Sequence, residues 1–350
     1  MSSNLPAGLN SLPAARCVLI SSYGKSGSKR LLRLFDLNPE THCRNEPDEY
    51  KNSPFNKLRQ IPESWIVCRG DNEKIASHWS GAVKWAASHI GNRDQFPPPH
   101  KLASTPIASF AWRIIGSQRC RMALGFVAPE WRSEEWIPSG WLYNADKMRA
   151  AVAVFKLNHA PELTTWALQN DPTTRVIHLL RHPAAVLNSW RKRFLAISNR
   201  EIVTHNNRSR LRFIMQHEPQ WHHRFETVEK MSAEESELWY WCYLNEAINE
   251  IGANYPSYKV VLDEDIASNT PEIVSKMMRH CDLPISQAMI NVTAKVSNEW
   301  RNELRDWHQL LDKNHINLVN RILAESPLSR HWSPNELVSG IDYKWKQLGL

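Results

Sequence analysis

The feature that most constrains the fold of this chain is an apolar strand that runs through a glycine-bearing loop into a helix. Residues 17–20 are a short apolar run typical of a buried strand, and residues 21–28 favour turns. Residues 31–35 have helical spacing, and Asn38 and Pro39 end the helix. Backbone N–H groups in such a loop, and at the helix N-terminus, point at an anion. The sequence therefore predicts a phosphate-binding loop, with an ordinary strand-to-helix turn as the alternative.

Later segments repeat the alternation of strands and helices. Strands are predicted at 151–157, 175–180 and 259–262, and helices at 74–90, 161–169, 184–194, 232–252, 271–281 and 300–324. Strands separated by helices and long loops favour an α/β fold, with a central parallel sheet flanked by helices. We expect a flexible N-terminus at 1–15 and one α/β domain over 16–350 with a large insertion at about 50–145.

The helix at 232–252 has the clearest boundaries. Ser232 and Glu235 form a capping-box pattern, and Gly252 ends the helix. One apolar stripe runs along it, formed by Trp239, Tyr243, Ala247, Ile248 and Ile251.

Composition excludes several classes of protein. The chain has 350 residues, 42% of them hydrophobic and 23% charged, as in ordinary folded proteins. It has no apolar window of about 18 residues, so we expect no membrane span. It also has no pattern typical of a secretory signal, and we therefore expect a cytoplasmic protein. Six cysteines without a CxxC pair indicate reduced thiols rather than disulfides or a zinc site.

The charge balance favours a polyanionic partner. The chain carries 43 Lys and Arg against 36 Asp and Glu, a net charge of +7. Such a surface suits nucleic acid, a nucleotide or an acidic glycan, and the balance alone does not choose. The basic stretch 190–213 could bind nucleic acid or an acidic acceptor, or form a solvated helix face. Because no nucleic-acid-binding motif accompanies it, we expect no nucleic-acid partner.

A nucleoside triphosphatase or kinase is one alternative for the loop. The Walker A pattern, however, has two glycines, and its Lys directly follows the second. If Gly24 and Lys25 are aligned with that second glycine and Lys, the position of the first glycine is occupied by Leu19. This alternative therefore needs a degenerate loop. Its support is the strand at 260–262, which ends in Asp263 and Glu264 as a Mg²⁺-binding strand would.

Two motifs resemble the P-loop sulfotransferases, in the style of carbohydrate-type and bacterial members. The loop 23–28, Y-G-K-S-G-S, resembles that family's Y-P-K-S-G-T loop, and 181–189, R-H-P-A-A-V-L-N-S, resembles its R-D-P-R-A-V-x-x-S segment. The resemblance implies that the loop holds the 5′-phosphate of 3′-phosphoadenosine-5′-phosphosulfate (PAPS), and that Arg181 and Ser189 bind its 3′-phosphate. The implied donor-binding residues are Gly24, Lys25, Ser26, Gly27, Ser28, Lys29, Arg30, Arg181 and Ser189.

Three further stretches resemble the same family. Glu46 and Pro47 follow the first helix, as an E-P pair does in family members. Residues 261–267 are similar to the family's late strand ending in Y-E-D-L, which gives the acid pair there a structural explanation. Trp300, Arg301 and Leu304 resemble a W-R-x-x-L near the end of carbohydrate-type members.

The chain also departs from the family pattern. Gly24 replaces the usual Pro, and Lys29 replaces a hydroxyl residue. Arg30 stands where cytosolic members have Trp, although a guanidinium can also stack on adenine. His182 and Ala184 replace Asp and Arg. An inactive relative is therefore an alternative.

The resemblance assigns roles in sulfuryl transfer, which requires no metal. Lys25 would meet the negative charge that builds on the oxygen leaving sulfur. An acceptor hydroxyl or amine needs a base, and Glu46 is the first candidate. His159 is the second, because cytosolic members carry K-T-H where this chain has K-L-N-H, one residue longer. The structural alternatives are an exposed loop Glu and a His that packs at the strand end.

The acceptor is predicted from the insertion at about 50–145, which we expect to shape its pocket. Four tryptophans lie there, Trp112, Trp131, Trp136 and Trp141. Tryptophan faces stack on sugar rings, so a glycan acceptor is predicted, with core packing as the alternative for each tryptophan.

Overall fold

The computed structural model describes residues 17–49, 53–59, 66–70, 72–88, 152–194, 200–287, 289–291 and 311–332. The N-terminal segment 1–15, residues 89–145 of the predicted insertion with its four tryptophans, and the W-R-x-x-L stretch at 300–304 lie outside these residues.

Five parallel strands form the central sheet, in the order β2-β3-β1-β4-β5. They are β1 (Cys17–Ser22), β2 (Thr41–Asn45), β3 (Val152–Asn158), β4 (Thr174–Leu180) and β5 (Tyr258–Leu262). The predicted α/β fold with a parallel sheet is confirmed. Strand β2 was not predicted, because its sequence T-H-C-R-N has no apolar alternation although all five residues are buried.

Helices pack on the sheet and on one another. In chain order they are α1 (Ser28–Asp36), α2 (Pro54–Arg59), α3 (Glu73–Ser88), α4 (Pro161–Asn170), α5 (Pro183–Phe194), α6 (Arg200–His217), α7 (His222–Phe225), α8 (Ala233–Gly252), α9 (Asp263–Ser268), α10 (Thr270–His280) and α11 (Lys313–Ala324). Short 3₁₀ turns cover Pro47–Glu49, Pro219–Trp221, Val228–Lys230 and Pro327–His331. Each helix predicted from the sequence has a counterpart among them; for the helix predicted at 300–324 the counterpart is α11, and residues 300–310 lie outside the described residues.

The two faces of the sheet have separate apolar cores. Cys17 and Leu19 of β1 pack with α3 and α4, whereas Val18 and Ile20 pack with α1 and α10. This alternation follows from the two-residue period of a strand. A third core joins α5, α6, α8 and α11.

Helix α8 begins as the capping box predicts, since Ser232 Oγ accepts the Glu235 N–H. The structure differs from the predicted single stripe because α8 is buried on nearly all sides. It packs against α4, α5, α6, α11 and β5, so a one-sided apolar face is not required. Its buried polar side chains include Glu237, which lies at the site described below.

The order of the strands indicates which end of the sheet is suited to ligand binding. The chain leaves β1 toward β2 on one side and leaves β4 toward β5 on the other, so the strand order reverses between β1 and β4. In open parallel sheets, ligands bind outside the carboxyl ends of the strands at such a point. Within the described part of the chain, no helix is long and apolar enough to cross a membrane.

Candidate active site

A cavity of about 920 Å³ opens at the carboxyl ends of the strands. Its lining consists of Tyr23, Gly24, Lys25, Gly27, Ser28, Lys29, Arg30, Asn45, Glu46, Glu49, Lys156, Asn158, His159, Arg181, Ser189, Trp190, Arg193, Val203, Asn206, Asn207, Arg210 and Glu237. Seven of these residues are Lys or Arg and three are Glu, so the lining is cationic. Of the site residues predicted from the sequence, only Ser26 is not part of this lining.

The loop between β1 and α1 bends through two left-handed residues. Lys25 has φ 71°, and Gly27, the N-cap of α1, has φ 82°. A Cβ on Gly27 would lie 2.4 Å from Asp263 Oδ1, so only glycine fits there. Ser26 is buried, and its Oγ has no hydrogen-bond partner among the described residues. The loop thus keeps an unpaired hydroxyl beside the helix N-terminus.

Asp263, which follows β5, forms ion pairs with one arginine of α1 and with another directly after β4. Its buried carboxylate lies 3.2 Å from Arg30 Nη2 and 3.2 Å from Arg181 Nε. Arg181 Nη1 also donates to the carbonyl oxygen of Lys25, at 2.9 Å. The next residue, Glu264, accepts the His182 N–H at 2.8 Å. Asp263 and Glu264 are therefore both bound by other groups of the protein, which agrees with a structural role for this acid pair.

Lys25 presents a cation without an ion-pair partner in the part of the chain that the structure describes. Burial lowers the pKa of its ammonium, and the positive charges of Arg193 and Lys29 lower it further. A cation held beside other cations is stabilised when an anion binds between them.

Glu46, directly after β2, is anchored through one carboxylate oxygen. Its Oε1 accepts hydrogen bonds from Lys156 Nζ and Asn158 Nδ2, both at the end of β3. Its Oε2 makes no hydrogen bond within the described residues. The backbone at Glu46 has φ 49° and its N–H donates to Lys156 O at 2.9 Å. Glu46 is thus a fixed group of the site rather than an exposed loop residue.

Lys156 lines the same cavity and was not predicted from the sequence. Its side chain is 1% exposed and bonds Asn45 Oδ1 as well as Glu46. Burial lowers the pKa of its ammonium, while the charge of Glu46 opposes that shift. The available signal was a lysine inside an otherwise apolar strand, which requires a buried anionic partner.

His159, after β3, is turned toward the loop. Its backbone has φ 52°, and its Nε2 accepts the Gly24 N–H at 3.3 Å. The ring meets Tyr23 edge-to-face at 4.4 Å and stacks with Tyr240 at 5.7 Å between centroids. The structure thus brings both predicted base candidates, Glu46 and His159, to one cavity.

Helices α6 and α8 supply the wall that the sequence did not predict. Val203, Asn206, Asn207 and Arg210 recur with helical spacing along one face of α6. Glu237 of α8 accepts hydrogen bonds from Tyr23 Oη (2.6 Å) and Asn207 Nδ2 (2.7 Å), and burial raises its pKa.

The basic stretch 190–213 divides between this cavity and the outer surface. Arg193 and Arg210 line the cavity. Arg212 pairs with Glu229 on the surface, and Arg208 donates to Met231 O.

The described residues include five buried cysteines, none of them in a disulfide, and no cluster of three His, Cys, Asp or Glu side chains placed to hold a metal.

Comparisons with known proteins give structural likenesses only. No protein-family model and no curated protein sequence matches the chain. It is similar to the solved structure of a sulfotransferase domain from the curacin biosynthetic pathway, with 11% identity, coverage of 90% of this chain and 98% of that one, and a TM-score of 0.40. A Mycobacterium tuberculosis sulfotransferase gives 12% identity, 83% and 77% coverage and a TM-score of 0.34. For a sulfotransferase from Alicyclobacillus acidocaldarius the identity is 12%, the match covers 87% of this chain and 99% of that one, and the TM-score is 0.35.

Proposed function

We propose that the chain is a sulfotransferase that moves a sulfuryl group from PAPS to a hydroxyl or amine acceptor. The observation that carries this proposal is the meeting of three separate sequence motifs in one cationic cavity. The loop around Lys25, the pair Arg181 and Ser189, and the carboxylate of Glu46 all line it. These segments are far apart in the sequence, and the fold brings them together.

The cavity suits a nucleotide carrying several negative charges. Its volume is at the upper end of the range of about 300–1,000 Å³ that is typical of ligand pockets. Loop amides at the N-terminus of α1 can donate to a phosphate, and the Ser26 hydroxyl, which has no partner among the described residues, can add a further donor. We assign the 5′-phosphate to this loop. We assign the 3′-phosphate to Ser189 and to the part of the Arg181 guanidinium that Asp263 and Lys25 do not use.

PAPS supplies a sulfuryl group on a phosphate, and transfer leaves negative charge on the oxygen that joined the two. The Lys25 ammonium is the group that we assign to that charge, because it lacks an ion-pair partner among the described residues. Glu46 is assigned as the base. Lys156 and Asn158 fix its Oε1, which leaves Oε2 to take a proton from the acceptor.

The triphosphatase alternative loses its support in this arrangement. Asp263, its proposed Mg²⁺ ligand, lies in ion pairs with Arg30 and Arg181, and Glu264 accepts a backbone N–H. A carboxylate engaged by two guanidinium groups is a poor ligand for a hydrated Mg²⁺ ion, which needs free carboxylate oxygens.

The acceptor class remains a proposal from the sequence, because Trp112, Trp131, Trp136 and Trp141 lie outside the described residues. We keep a glycan as the first acceptor class and flat phenols as the competing one. Arg210 and Asn206 on the α6 wall are compatible with a polyhydroxy or anionic acceptor, because both offer polar N–H donors.

A thermal-shift comparison tests the donor assignment without an acceptor. At about 100 times its dissociation constant, adenosine 3′,5′-bisphosphate should stabilise the chain by roughly 2.7 kcal/mol. The matched control is Lys192→Ala, which removes an exposed lysine of α5 that does not line the cavity. This variant should behave like the unsubstituted chain, whereas Lys29→Ala should show a smaller shift. Stabilisation by ATP and Mg²⁺ but not by the bisphosphate would support a triphosphatase instead.

A further inference from the structure

The contact between Gly24 and His159 belongs to this chain rather than to the family pattern. The family loop has Pro at the position of Gly24 and therefore no N–H there. Here the Gly24 N–H donates to His159 Nε2, and a Cβ on Gly24 would lie 2.8 Å from that same atom. A glycine and a histidine thus fit each other where neither a larger residue nor a proline would.

Lys25, the next residue, has a backbone that needs outside support. A left-handed conformation is unfavourable in a residue other than glycine and persists only when neighbouring groups hold it. Lys25, at φ 71°, is held from both sides. His159 accepts the N–H of the preceding residue, and Arg181 donates to the Lys25 carbonyl oxygen at 2.9 Å.

His159 is itself fixed in position. Its backbone N–H donates to Ser22 O at 3.3 Å, and its ring lies between Tyr23 and Tyr240. The hydroxyl of Tyr23 is bound in turn to Glu237. A neutral imidazole has one acceptor nitrogen, and here that nitrogen is Nε2, which the Gly24 N–H already occupies.

We propose that His159 is a positioning residue of the donor loop and not the base of the transfer. By accepting the Gly24 N–H, it holds the left-handed backbone of Lys25, so that the Lys25 ammonium stays in the cavity beside the donor. Glu46 then remains the single base. This inference rests on the proposed function and decides between its two base candidates.

A double-mutant cycle on Gly24 and His159 tests the contact, with calorimetric titration of adenosine 3′,5′-bisphosphate as the readout. Loss of one hydrogen bond predicts that His159→Ala weakens binding about three- to tenfold. Gly24→Ala should weaken binding about tenfold in the unsubstituted chain. In the His159→Ala background it should cost less than about twofold, because the clashing ring is absent. Additive losses in a chain that binds the bisphosphate would overturn this inference alone. A chain that binds no bisphosphate would overturn the proposed function as well.

Rescue by a conservative variant separates positioning from proton transfer. The side-chain oxygen of His159→Gln can accept the Gly24 N–H but cannot act as a base near neutral pH. Without another acceptor, water can take the sulfuryl group, so the hydrolysis of PAPS reports the transfer step. We expect His159→Gln to restore both bisphosphate binding and this hydrolysis to within about threefold of the unsubstituted chain. Intact binding with hydrolysis as low as in Glu46→Gln would assign the base to His159 and overturn the inference. Melting temperatures of all variants, measured without ligand, identify any that fail to fold.

Discussion

Three residues of the proposed site share an unusual backbone. Lys25, Glu46 and His159 have φ values of 71°, 49° and 52°, although none is glycine. Glu46 directly follows β2, His159 directly follows β3, and Lys25 lies three residues after the end of β1, so all three are at the carboxyl edge of the sheet. Strained backbone of this kind concentrates at functional sites, where surrounding contacts hold it. These conformations could not be predicted from the sequence, because the contacts that hold them come from segments far apart in the chain.

Replacing Lys25 tests its assignment to the leaving oxygen. Lys25→Ala should lose turnover by about a hundredfold or more, since one lost donor to developing charge costs that much. Bisphosphate binding should fall less, by about tenfold, because the loop amides remain. Lys192→Ala is the control. Turnover of Lys25→Ala equal to that of the unsubstituted chain would remove Lys25 from the mechanism.

Ser189 and Arg181 should behave differently when replaced. Ser189→Ala should weaken adenosine 3′,5′-bisphosphate about tenfold and leave adenosine 5′-monophosphate unchanged, because a hydrogen bond to a charged group is lost. Arg181→Ala should weaken both ligands, since it also releases Lys25 O and leaves the buried Asp263 with one ion pair fewer. Competition titrations measure both, and equal losses of the two ligands in Ser189→Ala would contradict the 3′-phosphate assignment.

At the scale of elements, the sequence predicted what depends on local pattern. Strands β1, β3, β4 and β5 have apolar runs, and the helices have caps or apolar periodicity. It missed β2, whose burial depends on pairing with β3. It also missed Lys156 as a site residue, because its partner Glu46 is 110 residues away in the chain. Glu237 had no local signal either, since its cavity contacts come from Tyr23 and α6.

Glu264, at the start of α9, makes the stability of the folded chain depend on pH. Burial, together with the negative charge of Asp263, raises the pKa of Glu264 from 4.5 to about 7. The folded chain therefore binds a proton more tightly than the unfolded chain, and this stabilisation is lost as pH rises from about 4.5 to 7. Glu264→Gln keeps the acceptor for the His182 N–H without a charge. Its melting temperature should fall less over this interval than that of the unsubstituted chain, and parallel curves would contradict the shifted pKa.

At the scale of the whole molecule, the parallel topology assembles the site. The ends of β1 and β4 are adjacent where the strand order reverses, so the loop at Lys25 and the segment that begins at Arg181 lie together although they are 156 positions apart in the chain. The net charge of +7 predicted a polyanionic partner, and among the described residues the cavity is one cationic surface, lined by seven Lys or Arg and three Glu. Neither the topology nor the net charge predicts the acceptor class, which we expect the insertion to determine.

We propose that this cavity binds a nucleotide through two separate phosphate sites. Calorimetric titration of adenosine 3′,5′-bisphosphate into the unsubstituted chain, with adenosine 5′-monophosphate as the matched ligand, measures this directly. We expect one bisphosphate per chain, bound at least about tenfold more tightly than the monophosphate, because a second charged phosphate gains its own contacts. Equal affinity for the two ligands, or no binding of the bisphosphate, would contradict it.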